Sequence, residues 1–297
     1  MSRQIARFLG STIGPALGLL LVVFLGPFLF LVWLSLTDTN LVSGGLSGHF
    51  VGFNNYARAL RSDSEFLASL GRSALFASYC VLPQICFSIV AAEVLHTSKS
   101  RLVAALMPLL LLSSLLPPVV VGLYWRVMLQ GEFGVLSYYL TQLGIDAAGR
   151  LLSTPATILA TLAIVDFWQW CPFVLLVFLV VRGTVASAPL EASWIDGASR
   201  LQSFFEITIP AMLPSVFLVG FLRSLDSLKE FDKVYVMTGG GPGSASELVS
   251  LYIWRTAFKQ WDFGYAAALS VLLYVMIFLA VRGIVRFRGL RIVDNRR

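Results

Sequence analysis

The sequence predicts an all-α integral membrane protein, a single transmembrane domain over residues 1–297 with six spanning helices and both termini on the cytoplasmic side. Three observations carry this. Hydrophobic residues make up 57% of the chain and charged residues only 13%, with a mean hydropathy of +0.81; soluble domains carry roughly 25% charge. Apolar runs of the roughly 20 residues needed to cross a bilayer recur along the chain between polar turns. Basic residues gather on alternate connections, as the positive-inside rule requires of cytoplasmic ones.

Span one covers about 12–36, within an uncharged run from Phe8 to Thr37 that follows Arg3 and Arg7. A cleaved signal peptide would have an apolar core of about 7–15 residues and a small-residue cleavage site, so the segment is read as retained. Residues 38–72 form an outer loop, where V-G-F-N-N-Y-A-R-A-L (Val51–Leu60) reads as a small surface helix. Span two, 73–94, meets a short basic turn of His96, Lys99 and Arg101. Span three, 102–125, contains Pro117 and Pro118; prolines free backbone groups that neighbouring helices must satisfy, so this span is expected to be kinked and packed inside. Residues 127–150 form a second outer loop. Span four is 152–181, with Asp166 near its middle, a loop at 183–206 follows, and spans five and six are 207–237 and 263–282.

With the N-terminus inside, the inner segments hold Arg3, Arg7, Lys99, Arg101, Arg182, Arg200, Arg282, Arg286, Arg288, Arg291, Arg296 and Arg297. The net charge of +6 is therefore read as a topology signal, concentrated in the tail, in preference to a nucleic-acid footprint. Cys80, Cys86 and Cys171 lie in apolar runs and the two histidines are far apart, so neither a disulfide framework nor a metal site is indicated.

The loop after span four has unusual internal order. Leu190, Trp194, Ala198, Leu201 and Phe205 recur at helical spacing, while Glu191, Asp196, Ser199, Arg200, Gln202 and Ser203 lie largely elsewhere. Gly197 would cost a helix interior about 1 kcal/mol, so two short helices joined near it are predicted. Pro210 and Pro214 suit the first turn of a new span. A helix lying in the headgroup plane is one reading. Such helices carry Lys and Arg on the polar face, however, and this one carries Glu191, Asp196 and Glu206 against Arg200, which suits a protein partner better. The run E-A-S-x-x-D-G-A, followed by F-x-x-I-x-I-P-x-x-x-P, resembles the signature cytoplasmic loop (EAA motif) of permease subunits in binding-protein-dependent type I ABC importers, with Ser193 where the family has Ala. The resemblance implies that this loop is a coupling helix docked on a separate ATPase, with Glu191, Ala192, Asp196, Gly197, Ala198 and Pro210 as the matching residues.

Ionisable residues inside spans form the second feature. A charge at the bilayer centre costs about 2.5 kcal/mol or more, so Asp166 in span four and Arg223, Asp226, Lys229 and Glu230 in span five must face protein, water or each other. Spacings of three and four allow local pairing along span five. The functional alternative is a hydrophilic substrate path that also includes Trp168, Gln169 and Trp170, since aromatic faces beside polar groups are what a sugar ring needs.

The glycines of F-D-K-V-Y-V-M-T-G-G-G-P (Phe231–Pro242) do not make a phosphate loop, because no Gly-Lys-Ser or Gly-Lys-Thr follows. The stretch, with Thr238, Gly239, Gly240, Gly241 and Pro242, instead resembles the loop after the fifth core helix in carbohydrate-type importer permeases of the maltose, glycerol-phosphate and polyol family. It is closer to the larger-subunit class of the maltose system, without that subunit's extra N-terminal spans and large external domain. The resemblance implies a pore-forming subunit of an ATP-driven importer in a bacterial inner membrane and no enzymatic chemistry on this chain. Its implied partners are a second, similar permease, two ATPase subunits holding ATP and Mg, and an extracytoplasmic solute-binding protein. Two alternatives stay open. One is an ion-coupled secondary transporter using Asp166, Asp226 and Glu230 as a proton relay, though no inverted repeat is obvious; the other is an importer permease for a non-sugar solute.

Overall fold

Helices supply all the regular structure among the described residues, beside two isolated β-bridges, Thr37 to Phe50 and Asn40 to Asp262. The computed structural model describes residues 14–294 except 43, 44, 46, 47, 99, 100, 132 and 145–149, and describes residues 16, 101–106 and 284–294 by backbone alone. The topology residues Arg3, Arg7, Lys99, Arg296 and Arg297 lie outside it. Among the described residues, five helices are long and apolar enough to cross a membrane, or six if one sharply bent pair counts as a span.

Two compact units are built from the chain, one from residues up to Leu67 with those from Tyr252 on, the other Ala68–Leu251. In the first, α1 (Gly14–Ser35) is apolar on every side and carries exposed Leu, Val and Phe along most of its length, as a helix surrounded by lipid must. It meets the last helix through Phe28 and Tyr274, whose ring centroids are 5.5 Å apart. The expected surface helix is α2 (Asn54–Arg61). Asp63 beyond it accepts from the hydroxyls of Tyr252 at 2.6 Å and Tyr265 at 2.5 Å and from the Phe66 amide at 2.9 Å. Arg58 lies 3.9 Å over the Tyr265 ring and 3.1 Å from Asp262. Gly264 admits the chain here, because a Cβ on it would stand 2.2 Å from the Thr37 carbonyl oxygen.

The second unit is carried mainly by α3 (Ser64–Ser98). At 1.5 Å per residue this helix is about 52 Å long, well beyond the hydrocarbon, so it extends past both ends of the expected span 73–94. Next come α4 (Arg101–Leu115) and α5 (Pro118–Met128), bent by 99°. The proline pair causes the bend: a residue before proline is driven out of the helical region, and Pro117 takes ψ 137° while Pro118 starts α5. The short α6 (Val135–Gln142) and the long α7 (Ile158–Gly183) follow. Ala92, Met107, Val174, Leu175, Phe178, Met212 and Val219 form its apolar core.

After α7 the loop forms α8 (Ser187–Ile195) and a single turn at Arg200–Ser203. The two are joined through Gly197 at φ 86°, a left-handed value that glycine adopts without strain. Ser199 caps the second piece and shares a capping box with Gln202. Residues 204–208 widen into a π turn, with the Ile209 amide donating to the Phe204 carbonyl five residues back. Pro210 has no amide hydrogen to offer Glu206 and would crowd its carbonyl, which accounts for the widening. The helix continues as α9 (Ile209–Leu228). The stretch expected as one span over 207–237 is divided, since the chain leaves the helix at Lys229–Phe231 and resumes as α10 (Asp232–Met237). Two further helices are α11 (Val249–Phe258) and α12 (Phe263–Asp294).

Candidate functional site

Asp166, on the buried side of α7, is 1% exposed and is held by three donors. Arg223 of α9 approaches it at 2.6 Å, Gln84 of α3 donates at 2.9 Å, and Lys233 of α10 donates to its other oxygen. Gln84 also accepts from Arg223 Nε at 3.0 Å. Lys233, 1% exposed, reaches the Gln169 side-chain oxygen at 3.2 Å and Glu230 at 3.1 Å. Gln169 in turn donates to the Leu116 carbonyl at 3.0 Å, at the bend between α4 and α5. Four helices and the α4–α5 corner thus converge on one cluster. Its two carboxylates balance two cations, which is the condition for keeping four charges away from water.

The cluster unites Asp166, Gln169, Arg223 and Glu230, and Trp170 joins it with its ring 5.0 Å from the Arg223 guanidinium. Trp168 stands apart, exposed and packed edge-on against Trp125 at 5.6 Å. Asp226 lies at the edge, half-exposed, 3.0 Å from Lys229 and 3.9 Å from Arg223. A helix turns 100° per residue, so neighbours in sequence cannot all face one cluster. Sequence reasoning missed Gln84 and Lys233 as site residues. Gln84 was visible as a lone amide in an apolar run, and Lys233 as a cation three residues beyond Glu230; their convergence on Asp166 was not.

In the loop, Glu191, Ala192, Asp196 and Pro210 are exposed, as are Trp194, Ile195, Leu201 and Phe205. The apolar residues at helical spacing therefore do not form one buried stripe. Leu190 is buried and Ala198 half-buried, because the turn at Gly197 breaks the helical register. Ser193 donates to the Leu190 carbonyl at 2.8 Å and meets Ser203 at 2.8 Å, which ties the two short pieces together. A cavity of about 370 Å³ lies between this loop and the ends of α3 and α7, lined by Glu93, Arg182, Glu191, Trp194, Arg200 and Thr208 among others. Glu93 and the buried Arg182 form a two-pronged ion pair in its wall.

In the loop after α10, Thr238 meets the Ser246 hydroxyl at 2.8 Å and accepts from the Gly240 amide at 3.2 Å. Ser246 donates to the Gly241 carbonyl at 2.6 Å. Gly239 and Gly240 sit at φ 59° and 93°, where a side chain would be strained. Among the described residues no group of His, Cys, Asp and Glu could hold a metal ion.

Residues 84–291 match the family described as the binding-protein-dependent transport system inner membrane component. The chain is 32% identical over 267 residues to the probable ABC transporter permease protein y4oQ of Sinorhizobium fredii, covering 90% of this chain and 85% of the relative. It is 31% identical over 265 residues to the trehalose/maltose transport system permease protein MalF of Thermococcus litoralis, covering 89% and 87%. The fold is similar to that of a chain in the crystal structure of a bacterial ABC transporter involved in the import of the acidic polysaccharide alginate, with a TM-score of 0.79, 19% identity and 93% and 94% of the two chains covered.

Proposed function

Because the chain belongs to the family of inner membrane components of binding-protein-dependent transport systems, and is an ABC transporter permease and not an enzyme, we propose that it is the pore-forming subunit of an ATP-driven importer for a carbohydrate or related polyol. The class comprises sugars, oligosaccharides, sugar alcohols and glycerol phosphate. The observation that carries this is the similarity along most of the chain to a relative named for trehalose and maltose transport, with the T-G-G-G-P loop as the second support.

The chain pairs with a second permease, rests on two ATPase subunits that bind ATP and Mg, and receives substrate from an extracytoplasmic binding protein. Both termini and the loop 183–206 face the cytoplasm. There α8, with exposed Glu191, Ala192, Trp194 and Ile195, is the surface offered to the ATPase, and Gly197, Ala198 and Pro210 shape it. ATPase closure draws the loop inward and rocks the bundle between inward-open and outward-open states, a rigid-body switch with its energy supplied elsewhere. Asp166, Gln169, Trp170, Arg223 and Glu230 border the substrate route, with Trp168 and Asp226 flanking it, and the loop Thr238–Pro242 lies at its outer end.

Uptake by vesicles holding the whole complex tests this. ATP should drive accumulation of a carbohydrate or polyol, and an ionophore should leave it unchanged. Collapse of uptake by the ionophore with ATP present would replace this reading with ion coupling, and uptake of non-sugar solutes alone would overturn the substrate class.

A further inference from the structure

We propose that the cavity between α8 and the ends of α3 and α7 is a regulatory site for a neutral polyhydroxylated molecule, a sugar or sugar alcohol on the side that the loop faces; this rests on the carbohydrate-importer reading above. The first support is Thr208. Its side chain lines the cavity and is 1% exposed, yet its hydroxyl has no hydrogen-bond partner among the described residues. Helical threonines elsewhere in the chain, Thr97, Thr161 and Thr256, each donate to the carbonyl four residues back. Thr208 ends the π turn and makes no such bond. A buried hydroxyl left unpaired is costly, and a ligand hydroxyl would satisfy it.

The charges of the lining select the ligand class. Glu93 and Glu191 stand against Arg182 and Arg200, so a ligand with net charge gains nothing from the field. Glu93 and Arg182 are engaged with each other, while Arg200 has no ion-pair partner among the described residues. A free guanidinium with paired donors matches neighbouring hydroxyls on a sugar ring. Phe204 adds an aromatic surface against which such a ring packs. The volume of about 370 Å³ is within the range of small-molecule sites.

One wall belongs to the loop helix, and the others to α3, the end of α7 and the turns at residues 200–208. A molecule filling the cavity bridges them and favours one position of the loop over the other, which is the only way a ligand shifts such an equilibrium. Sugar accumulating on that side would thereby slow the cycle that imports it.

The complete transporter in proteoliposomes, with its ATPase side outward, tests this using trehalose, maltose and sorbitol added outside. ATP hydrolysis stimulated by loaded binding protein should fall by half or more with at least one of them. Thr208→Val should raise the half-inhibiting concentration about tenfold while Thr208→Ser keeps it, whatever their basal rates. Phe204→Leu gives the same test through the aromatic wall. Thr208→Cys, read against the native cysteines, should be shielded from a maleimide by the inhibiting sugar. Hydrolysis and labelling untouched by all three compounds, equal inhibition of Thr208→Val and the native chain, or equal inhibition by the zwitterion glycine betaine would each overturn the site. Uptake measured in the same vesicles reports separately on the importer reading, so the two can fail independently.

Discussion

The guanidinium of Arg223 lies 2.6 Å from the carboxylate of Asp166, across 57 residues of sequence, and both side chains are shut away from the surface. Removing one member strands the other charges. Asp166→Leu leaves Arg223 and Lys233 without their shared anion and should cost about 3–5 kcal/mol. Thermal denaturation of the purified complex checks this. Asp166→Asn, which keeps the shape and one acceptor, should cost less.

Path and packing separate by measuring assembly and transport together. Gln169→Ala and Trp170→Ala should lower uptake or alter substrate preference at unchanged yield of complex, because each retains the Asp166–Arg223 pair. Yield falling in step with uptake would show that these residues only hold the bundle together.

At Gly197 the obstacle to a side chain is conformational. No atom stands within 4 Å of where a Cβ would lie, but φ is 86°. A left-handed conformation costs an L-residue roughly 1–2 kcal/mol, least for Asn and most for β-branched residues. The expected order of coupling is Gly197, then Asn, Ala and Val, read as uptake per ATP hydrolysed at equal membrane insertion. Normal uptake in Gly197→Val would contradict the assignment of this turn to coupling.

Arg182 lies in the last turn of α7, just before the loop, and its Nη2 donates to Glu93 of α3 at 3.1 Å. Glu93→Ala leaves a buried guanidinium unpaired and loosens the root of the loop. Hydrolysis should then proceed with less transport per ATP, and Glu93→Asp should recover part of it.

Burial opposes ionisation of Asp63, yet the hydroxyls of Tyr252 and Tyr265, the Phe66 amide and Arg58 hold its carboxyl below the usual carboxylate range. A depressed carboxylate stabilises the fold at pH above its unfolded value of about 3.9. That contribution disappears as pH falls through the lower folded value. Acid unfolding of the Asp63→Asn variant should therefore depend less on pH below about 4 than that of the native protein.

By itself the sequence determined the all-helical membrane class, the Pro117–Pro118 break and the turn at Gly197. These follow from local causes: hydropathy is summed over neighbours, and proline and glycine act on their own backbone. The E-A-S-x-x-D-G-A and T-G-G-G-P runs were legible for the same reason, since each is one contiguous stretch. Tertiary structure alone decided which charges meet. Pairing along α9 was visible as a spacing, but Arg223 spends its guanidinium chiefly on Asp166 and Gln84, with Asp226 at 3.9 Å. Lys233 turns inward because the helix breaks at Lys229–Phe231 and redirects it. The partnerless Thr208 hydroxyl and the cavity beside it arise from a π turn and from the spacing of three segments. A buried charge is neutralised by whatever the folded chain brings within reach, and that distance is set by helix packing, to which spacing along the chain is blind.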